Sequence, residues 1–247
     1  MQPLLLLLVF LLSPGTEAGE IIGGHEARPH SRPYMAFVQF LVEEKNHRCG
    51  GVLVQQDFVL TAAHCWGRVI NVSLGAYNIQ KQGKTQQVMT VRQAICHPDY
   101  NPKNLSYDIM LLKIREQAKQ TTAVRPLSLP RGKAQVNPRQ VCSVAGWGKV
   151  SPADRVSDTL QDVELTVQKD HECYSHFTHH YNQAPQICVG DPKMMNNSFK
   201  GDSRGPLICN KLIQGIFSYG QNNRTPPGVF MKVSHFLPWI KSTMKSF

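Results

Sequence analysis

Gly201-Asp202-Ser203-Arg204-Gly205-Pro206-Leu207 is a glycine-flanked turn with a serine at its centre. Two earlier segments give it meaning: Leu60-Thr61-Ala62-Ala63-His64-Cys65 and Asp108-Ile109-Met110-Leu111-Leu112-Lys113. Singly, each has an ordinary structural explanation. A histidine beside a cysteine is commonly structural, an aspartate before a strand is commonly a turn residue or cap, and Gly-Asp-Ser is a common turn. Taken in the order His64, Asp108, Ser203, they supply the parts that acyl transfer by a serine requires. A base takes the hydroxyl proton, a carboxylate holds the base's tautomer and stabilises the imidazolium, and backbone N–H groups in a Gly-rich turn receive the oxyanion.

Outward from these segments, short apolar or alternating runs recur, separated by Gly, Pro or Asn. They include Met35–Val42, Val52–Leu60, Ile109–Ile114, Val141–Ala145, Leu212–Ser218 and Val229–Val233. Val163, Leu165 and Val167 alternate with Glu164 and Thr166, the period of a strand with one buried face. Many short strands with regular turns predict an all-β chain of barrels or a sandwich. One amphipathic helix is expected to close the chain over 234–245, with Ser234 as N-cap and Phe236, Leu237, Ile240 and Met244 on its buried face. The polar run Arg115–Thr122 and the turn at Pro126 suggest a boundary between two halves near Thr121–Arg125.

The 247 residues are enough to bury a sizeable core, and 41% are hydrophobic, which disfavours disorder. Leu4–Leu12 is nearly all Leu, Val and Phe, too short to span a bilayer. The small residues Thr16 and Ala18 follow, so residues 1–18 read as a signal peptide cut after Ala18. Nothing else in the chain is long and apolar enough for a membrane span. Seven cysteines fit an oxidising compartment. Sequons at Asn71, Asn104, Asn196 and Asn223 fit a secreted glycoprotein. The formal charge is +10, and loss of residues 1–20, with two acids and no Lys or Arg, raises it to +12. Such a surface is either simply solvated or adheres to polyanions such as sulfated glycans, nucleic acid or anionic membranes. No nucleic-acid motif accompanies the charge. The ten histidines show no metal-ligand spacing, and His179-His180 reads as a solvated loop, so neither a metal nor a cofactor is expected.

Across residues 21–247 the chain resembles chymotrypsin-family serine proteases, within them the granzyme B, granzyme H, cathepsin G and chymase group. Besides the three segments above, the resemblance rests on Ile21-Ile22-Gly23-Gly24-His25-Glu26, Pro29–Ala36, Ala145-Gly146-Trp147-Gly148 and Ser218-Tyr219-Gly220. Phe199, where many members have cysteine, and Val233–Ile240 look most like granzyme H and cathepsin G. The resemblance implies two packed six-stranded antiparallel barrels, about 21–125 and 126–232, with the site between them. It implies Ser203 as nucleophile, His64 as base then acid, Asp108 as orienting carboxylate, and the N–H groups of Gly201 and Ser203 as oxyanion hole. Disulfides Cys49–Cys65, Cys142–Cys209 and Cys173–Cys188 are implied. Cys96 is left over, either a half-buried thiol in a monomer or the link of a covalent dimer. The acidic dipeptide 19–20 would be removed by a dipeptidyl peptidase, freeing the Ile21 ammonium to pair with Asp202 and order the oxyanion loops. Protein and peptide substrates, serpin-type inhibitors, a sulfated proteoglycan partner and storage in a secretory granule follow from the same resemblance.

The resemblance places a specificity pocket among Asn197, Ser198, Phe199, Ser218, Tyr219, Gly220 and Gly228. With neither an acid nor an arginine at its base, it implies a large apolar or aromatic residue before the scissile bond. One residue departs from the pattern: Arg204 stands where the family has glycine. A glycine at such a turn marks a backbone angle or a close approach that other residues disfavour. Two readings therefore stand side by side. One is an active endopeptidase of cytotoxic or inflammatory granules. The other is a catalytically impaired protein of the same fold acting in defence through its basic surface.

Overall fold

The computed structural model of the protein describes residues 24–132, 136–148, 157–178, 180–192, 205–221 and 226–247. A short first strand, β1 (Gly24–Glu26), precedes β2 (Met35–Val42), β3 (Lys45–Gln55), β4 (Phe58–Thr61), β5 (Arg68–Leu74), β6 (Gln87–Cys96) and β7 (Met110–Ile114). β2 to β7 close into a six-stranded antiparallel barrel in the order β2-β3-β4-β7-β6-β5. The apolar run Val52–Leu60 is a hairpin rather than one strand: the polar pair Gln56-Asp57 turns β3 back into β4.

The second half contains β8 (Val141–Gly146), β9 (Gln161–Thr166), α1 (Asp170–His176), β10 (Gln186–Val189), β11 (Pro206–Cys209), β12 (Leu212–Gly220), β13 (Gly228–Lys232) and α2 (Val233–Lys245). Its strands form an antiparallel sheet in the order β1-β9-β8-β11-β12-β13-β10. A bridge between Val167 and Val189 joins the two ends. There the Gln168 N–H donates to the Cys188 carbonyl (2.8 Å) and the Gly190 N–H to the Thr166 carbonyl (2.9 Å). Six strands thus form a second ring, and β1 lies outside it as a seventh. β10 reaches β9 only at its end, which leaves the edge at Gln161–Val163 unpaired, and β1 covers that edge. Residues 24–26, grouped by sequence with the first barrel, therefore lie on the second.

Packing explains why the halves stay together. β2 buries residues on both faces at Met35–Val38, one toward its own barrel and one toward the second. The Phe37 ring meets Trp147 edge-on, with centroids 5.3 Å apart, and the Trp147 indole N–H donates to the Tyr77 carbonyl (3.1 Å). One continuous cluster runs from Leu60 and Leu111 through Trp147 to Ile213, Met231 and the buried face of α2. A separate cluster around Leu207, Phe217 and Phe230 fills the second ring. Disulfides join Cys49 to Cys65, Cys142 to Cys209 and Cys173 to Cys188.

α2 starts one residue earlier than its sequence pattern suggests. The chain passes from β13 into the helix directly, with Val233 buried in the core, so Lys232 occupies the N-cap position and no side chain caps it. Ser234 lies inside the first turn and is not a cap. Phe236, Leu237 and Ile240 are buried, and Met244 is partly buried against the same cluster.

Gly75, just after β5, has φ +68°, and a Cβ there would lie 2.4 Å from the Thr85 carbonyl oxygen. The obstacle is backbone and cannot swing aside. Left-handed strain of about 1–2 kcal/mol adds to overpacking of about 1–3 kcal/mol. Gly75→Ala is expected to destabilise the protein by about 2 kcal/mol or more, read as a lower urea midpoint at unchanged slope.

Candidate active site

His64 sits in a single 3-10 turn, Ala63–Cys65, between β4 and β5. Two ties hold that turn. Cys65 is bonded to Cys49 on β3, and the Thr61 hydroxyl donates to the Gly50 carbonyl (2.8 Å). Opposite lies Asp108, which is completely buried at 0% exposure. Its Oδ1 accepts the His64 backbone N–H (2.8 Å). Its Oδ2 lies 2.7 Å from His64 Nδ1 and accepts the Ser218 hydroxyl (2.6 Å). A buried carboxylate tolerates its charge only when hydrogen-bonded, and Asp108 has three donors around it. An ionised carboxylate accepts and does not donate. In the neutral ring, the Nδ1 contact therefore puts the imidazole proton on Nδ1 and leaves Nε2 with its lone pair, the tautomer of a base. The His64 side chain is 17% exposed, so it remains reachable.

The turn that presents Asp108 is strained and clamped. Leu105 (φ 54°) and Tyr107 (φ 53°) are both left-handed, conformations that cost non-glycine residues about 1–2 kcal/mol each. The Ile109 N–H closes a tight turn onto the Tyr107 carbonyl (2.8 Å), and the His97 N–H donates to the Ile109 carbonyl (3.0 Å). The Tyr107 ring stacks on His97 with centroids 5.1 Å apart and meets Phe236 edge-on at 5.9 Å. His97 also contacts Trp239 at 5.0 Å. Aromatic contacts of this kind offset the backbone strain. Helix α2 thus supports the Asp108 turn from below.

Ser218 belongs to β12, so the second barrel reaches Asp108 through its hydroxyl. Sequence resemblance had placed Ser218 only in a pocket wall, and the bond to Asp108 is an addition. Tyr219 and Gly220 follow on β12, and Gly228 lies on β13 opposite Gly220. Among the described residues, a Cβ at Gly220 would meet only the Phe217 ring, at the ordinary contact distance of 3.7 Å. Past Ile216, where its pairing with Pro206 of β11 ends, β12 pairs among the described residues with β13 on one side only. The Phe217 N–H reaches the Gly205 carbonyl (3.3 Å). Burial pushes the Tyr219 phenol up to about 12, and the Asp108 charge adds to the shift. Its hydroxyl lies 3.1 Å from the His180 carbonyl and 3.2 Å from Gln186 Oε1.

Beyond Ser218 the surface opens into a cleft of about 630 Å3. Its walls are Lys103–Leu105, His176 at the end of α1 with Phe177 and His180 after it, and Tyr219–Gln221. Of this lining, sequence reasoning assigned only Tyr219 and Gly220 to a substrate pocket; Asn104 was read as a sequon and His180 as part of a solvated loop. His176 ends α1 and the others lie on loops without periodicity, and topology alone brings them together.

Gly201, Asp202, Ser203 and Arg204 lie outside the described residues, as do Ile21, Asn197, Ser198 and Phe199, His179, and the sequons at Asn196 and Asn223. Asn71 is on β5 and partly buried, and Asn104 is exposed. Cys96 is half-buried, its thiol 3.6 Å from Met110 Sδ. Burial, with the Asp108 charge behind it, pushes this thiol up, which lowers its reactivity toward a second molecule.

With this geometry in hand, comparisons with known proteins are informative. The trypsin family profile matches residues 21–240. Human granzyme H is 64% identical over 245 residues, 99% of each chain. Human granzyme B is 59% identical over the full length of both chains. Human cathepsin G is 55% identical over all of this chain and 96% of its own. The solved structure of GrC superposes with a TM-score of 0.86 at 55% identity, covering 90% of this chain and 99% of that one.

Burial pushes His97 and His235, both in the aromatic cluster with Tyr107, below the ordinary histidine range. Asp99 opposes the shift at His97 and Lys232 adds to it at His235. The unfolded chain then binds more protons than the folded one as pH falls below about 6.5. Stability is therefore full above that pH and declines as pH drops toward the folded values. Urea midpoints are expected to fall between pH 7 and pH 5, and His97→Gln is expected to flatten that slope.

Proposed function

The chain belongs to the trypsin family and is a serine protease; on that premise we propose that Ser203, His64 and Asp108 carry out acyl transfer on protein substrates with a large apolar or aromatic residue before the scissile bond. One observation carries the reading. The buried Asp108 carboxylate accepts hydrogen bonds from His64 and Ser218. This holds the imidazole with Nε2 unprotonated, at the junction of the two barrels.

In this reading His64 Nε2 takes the proton of Ser203 Oγ as the oxygen attacks the scissile carbonyl. The same proton is then given to the leaving amine, and a water repeats the sequence to release the acid. The N–H groups of Gly201 and Ser203 hold the oxyanion. Substrate backbone adds along the open side of β12 at Ser218–Gly220, an extra strand laid on an exposed sheet edge. The pocket of Asn197, Ser198, Phe199, Ser218, Tyr219, Gly220 and Gly228 receives the residue before the cut. Space at Gly220 supports a large side chain there. Residues 1–18 act as a signal peptide and 19–20 as an activation dipeptide, and 21–247 form the protease. The freed Ile21 ammonium pairs with Asp202. The relatives named granzyme and cathepsin G support storage in a secretory granule and a role in cytotoxic or inflammatory immunity. A charge of +10 favours a sulfated proteoglycan partner. Serpin-type inhibitors suit such an enzyme, and the half-buried Cys96 favours a monomer.

Arg204 supports a second reading, an impaired enzyme acting in defence through its basic surface. A long cationic side chain beside the nucleophile would displace the oxyanion donors if the turn has no room for it. The two readings separate cleanly. Protein comprising residues 21–247 is expected to bind one organophosphate at Ser203 and to hydrolyse esters with Phe or Met before the bond, not Asp or Lys. Asp108→Asn is expected to lower kcat by about 10⁴. If the protein neither labels nor turns over until Arg204→Gly restores both, the impaired reading stands.

A further inference from the structure

The cleft beyond Ser218 has a charge asymmetry that apolar selection before the scissile bond does not use. Its floor and sides are apolar at Leu105, Phe177 and Tyr219. Its ionisable side chains, apart from the Tyr219 phenol, are Lys103 on one wall and His176 and His180 on the other. Among the described residues lining it there is no aspartate or glutamate.

Both walls are fixed in place. On one, the Lys103 N–H donates to Asn101 Oδ1 (2.9 Å), and the Ser106 N–H and hydroxyl both bond Asn104 Oδ1. On the other, Tyr219 ties β12 to the loop after α1. Its hydroxyl sits against the His180 carbonyl and Gln186 Oε1. Its ring meets Phe177 edge-on at 5.3 Å. Gln186 Oε1 in turn accepts the Asn182 N–H (2.8 Å). At the far end, Gln221 Nε2 donates to the Pro226 carbonyl (2.8 Å). The cleft is therefore a preformed trough, with one permanent cation and two imidazoles on walls that are otherwise apolar or neutral. A cation on such a wall attracts an acidic side chain in the cleft and repels a basic one.

We infer that this cleft selects substrates with an acidic side chain among the second to fourth residues before the scissile bond, with Lys103 as the principal selector and His176 and His180 as supporting donors. The inference rests on the proposed peptidase reading. If the residue before the cut fills the pocket that Ser218–Gly220 help to wall, the residues preceding it run along Tyr219–Gln221, between Lys103 on one side and His176 and His180 on the other. A glutamate there gains a cation and N–H donors and meets no like charge. A lysine in the same place meets Lys103.

The test uses peptides with Phe before the scissile bond that differ only in Glu, Gln or Lys at the second, third or fourth preceding position. Each is measured two ways, as kcat/KM with the protein of residues 21–247 and as equilibrium binding to its Ser203→Ala variant. The second arm needs no catalysis, so a dead enzyme counts against the peptidase reading and leaves this test intact. At one or more positions Glu is expected to exceed Gln by about fivefold, the upper range for a partly exposed ion pair. The ratio should fall toward one in 0.5 M salt. Lys103→Gln should bring it close to one and Lys103→Glu should invert it, while Lys-containing peptides bind the wild type more weakly than Gln-containing ones. Equal binding of Glu and Gln peptides at all three positions would overturn the inference. So would a Glu preference that survives Lys103→Gln combined with His176→Gln and His180→Gln.

Discussion

A carboxylate with no access to water is the constraint around which the rest of this molecule is arranged. Asp108 keeps its charge only because donors from both barrels converge on it: His64 through its backbone and ring, and Ser218 through its hydroxyl. Removing one partner of a buried, charged hydrogen-bonded pair typically costs about 3–5 kcal/mol. The arrangement therefore does two jobs at once. It fixes the tautomer of the base, and it ties the first barrel to the second at the place where chemistry is proposed.

Much of the surrounding structure serves to hold that carboxylate still. Two left-handed positions, Leu105 and Tyr107, aim the turn, and the His97, Tyr107, Phe236 and Trp239 rings bear on it from below. The C-terminal helix, which on amphipathicity alone is merely a packing element, is thereby a support of the Asp108 turn. The Cys49–Cys65 bond plays the same part for His64. β12 is the third component. Its inner residues fill the second barrel, while Ser218, Tyr219 and Gly220 lie beyond the end of β11 pairing, Ser218 bonded to Asp108 and Tyr219 and Gly220 bordering the cleft. The cleft they border is positive because of side chains from two distant loops that the fold brings within one trough.

The strand runs Met35–Val42 and Val141–Ala145 were legible because burial on one or both faces leaves a period in the sequence. His64 and Asp108, which the structure brings together, were legible because residue type and order along the chain match the parts that acyl transfer needs. Other features left no such trace. α1 buries only Cys173, so it has no apolar stripe to read. β1 has three residues and exists because an edge of β9 needs covering. The hydrogen bond from Ser218 to Asp108 spans 110 residues, and nothing local announces it. Lys103 and His180 on loops, and His176 at the end of α1, are polar residues whose meaning comes only from their shared cleft. Ser234 looked like a helix cap because it is a serine ahead of an apolar pattern, but the strand runs straight into the helix and leaves no cap for it to fill.

The central claim is that Asp108 holds the His64 ring with its proton on Nδ1 and Nε2 available as a base. Nitrogen-15 NMR of the histidine side chains, assigned through a His64→Gln variant, reads this directly. The account predicts that the neutral form of the His64 ring carries its proton on Nδ1 with Nε2 bare, and that Asp108→Asn moves the proton. A neutral wild-type ring protonated at Nε2, or one unaffected by Asp108→Asn, would contradict it.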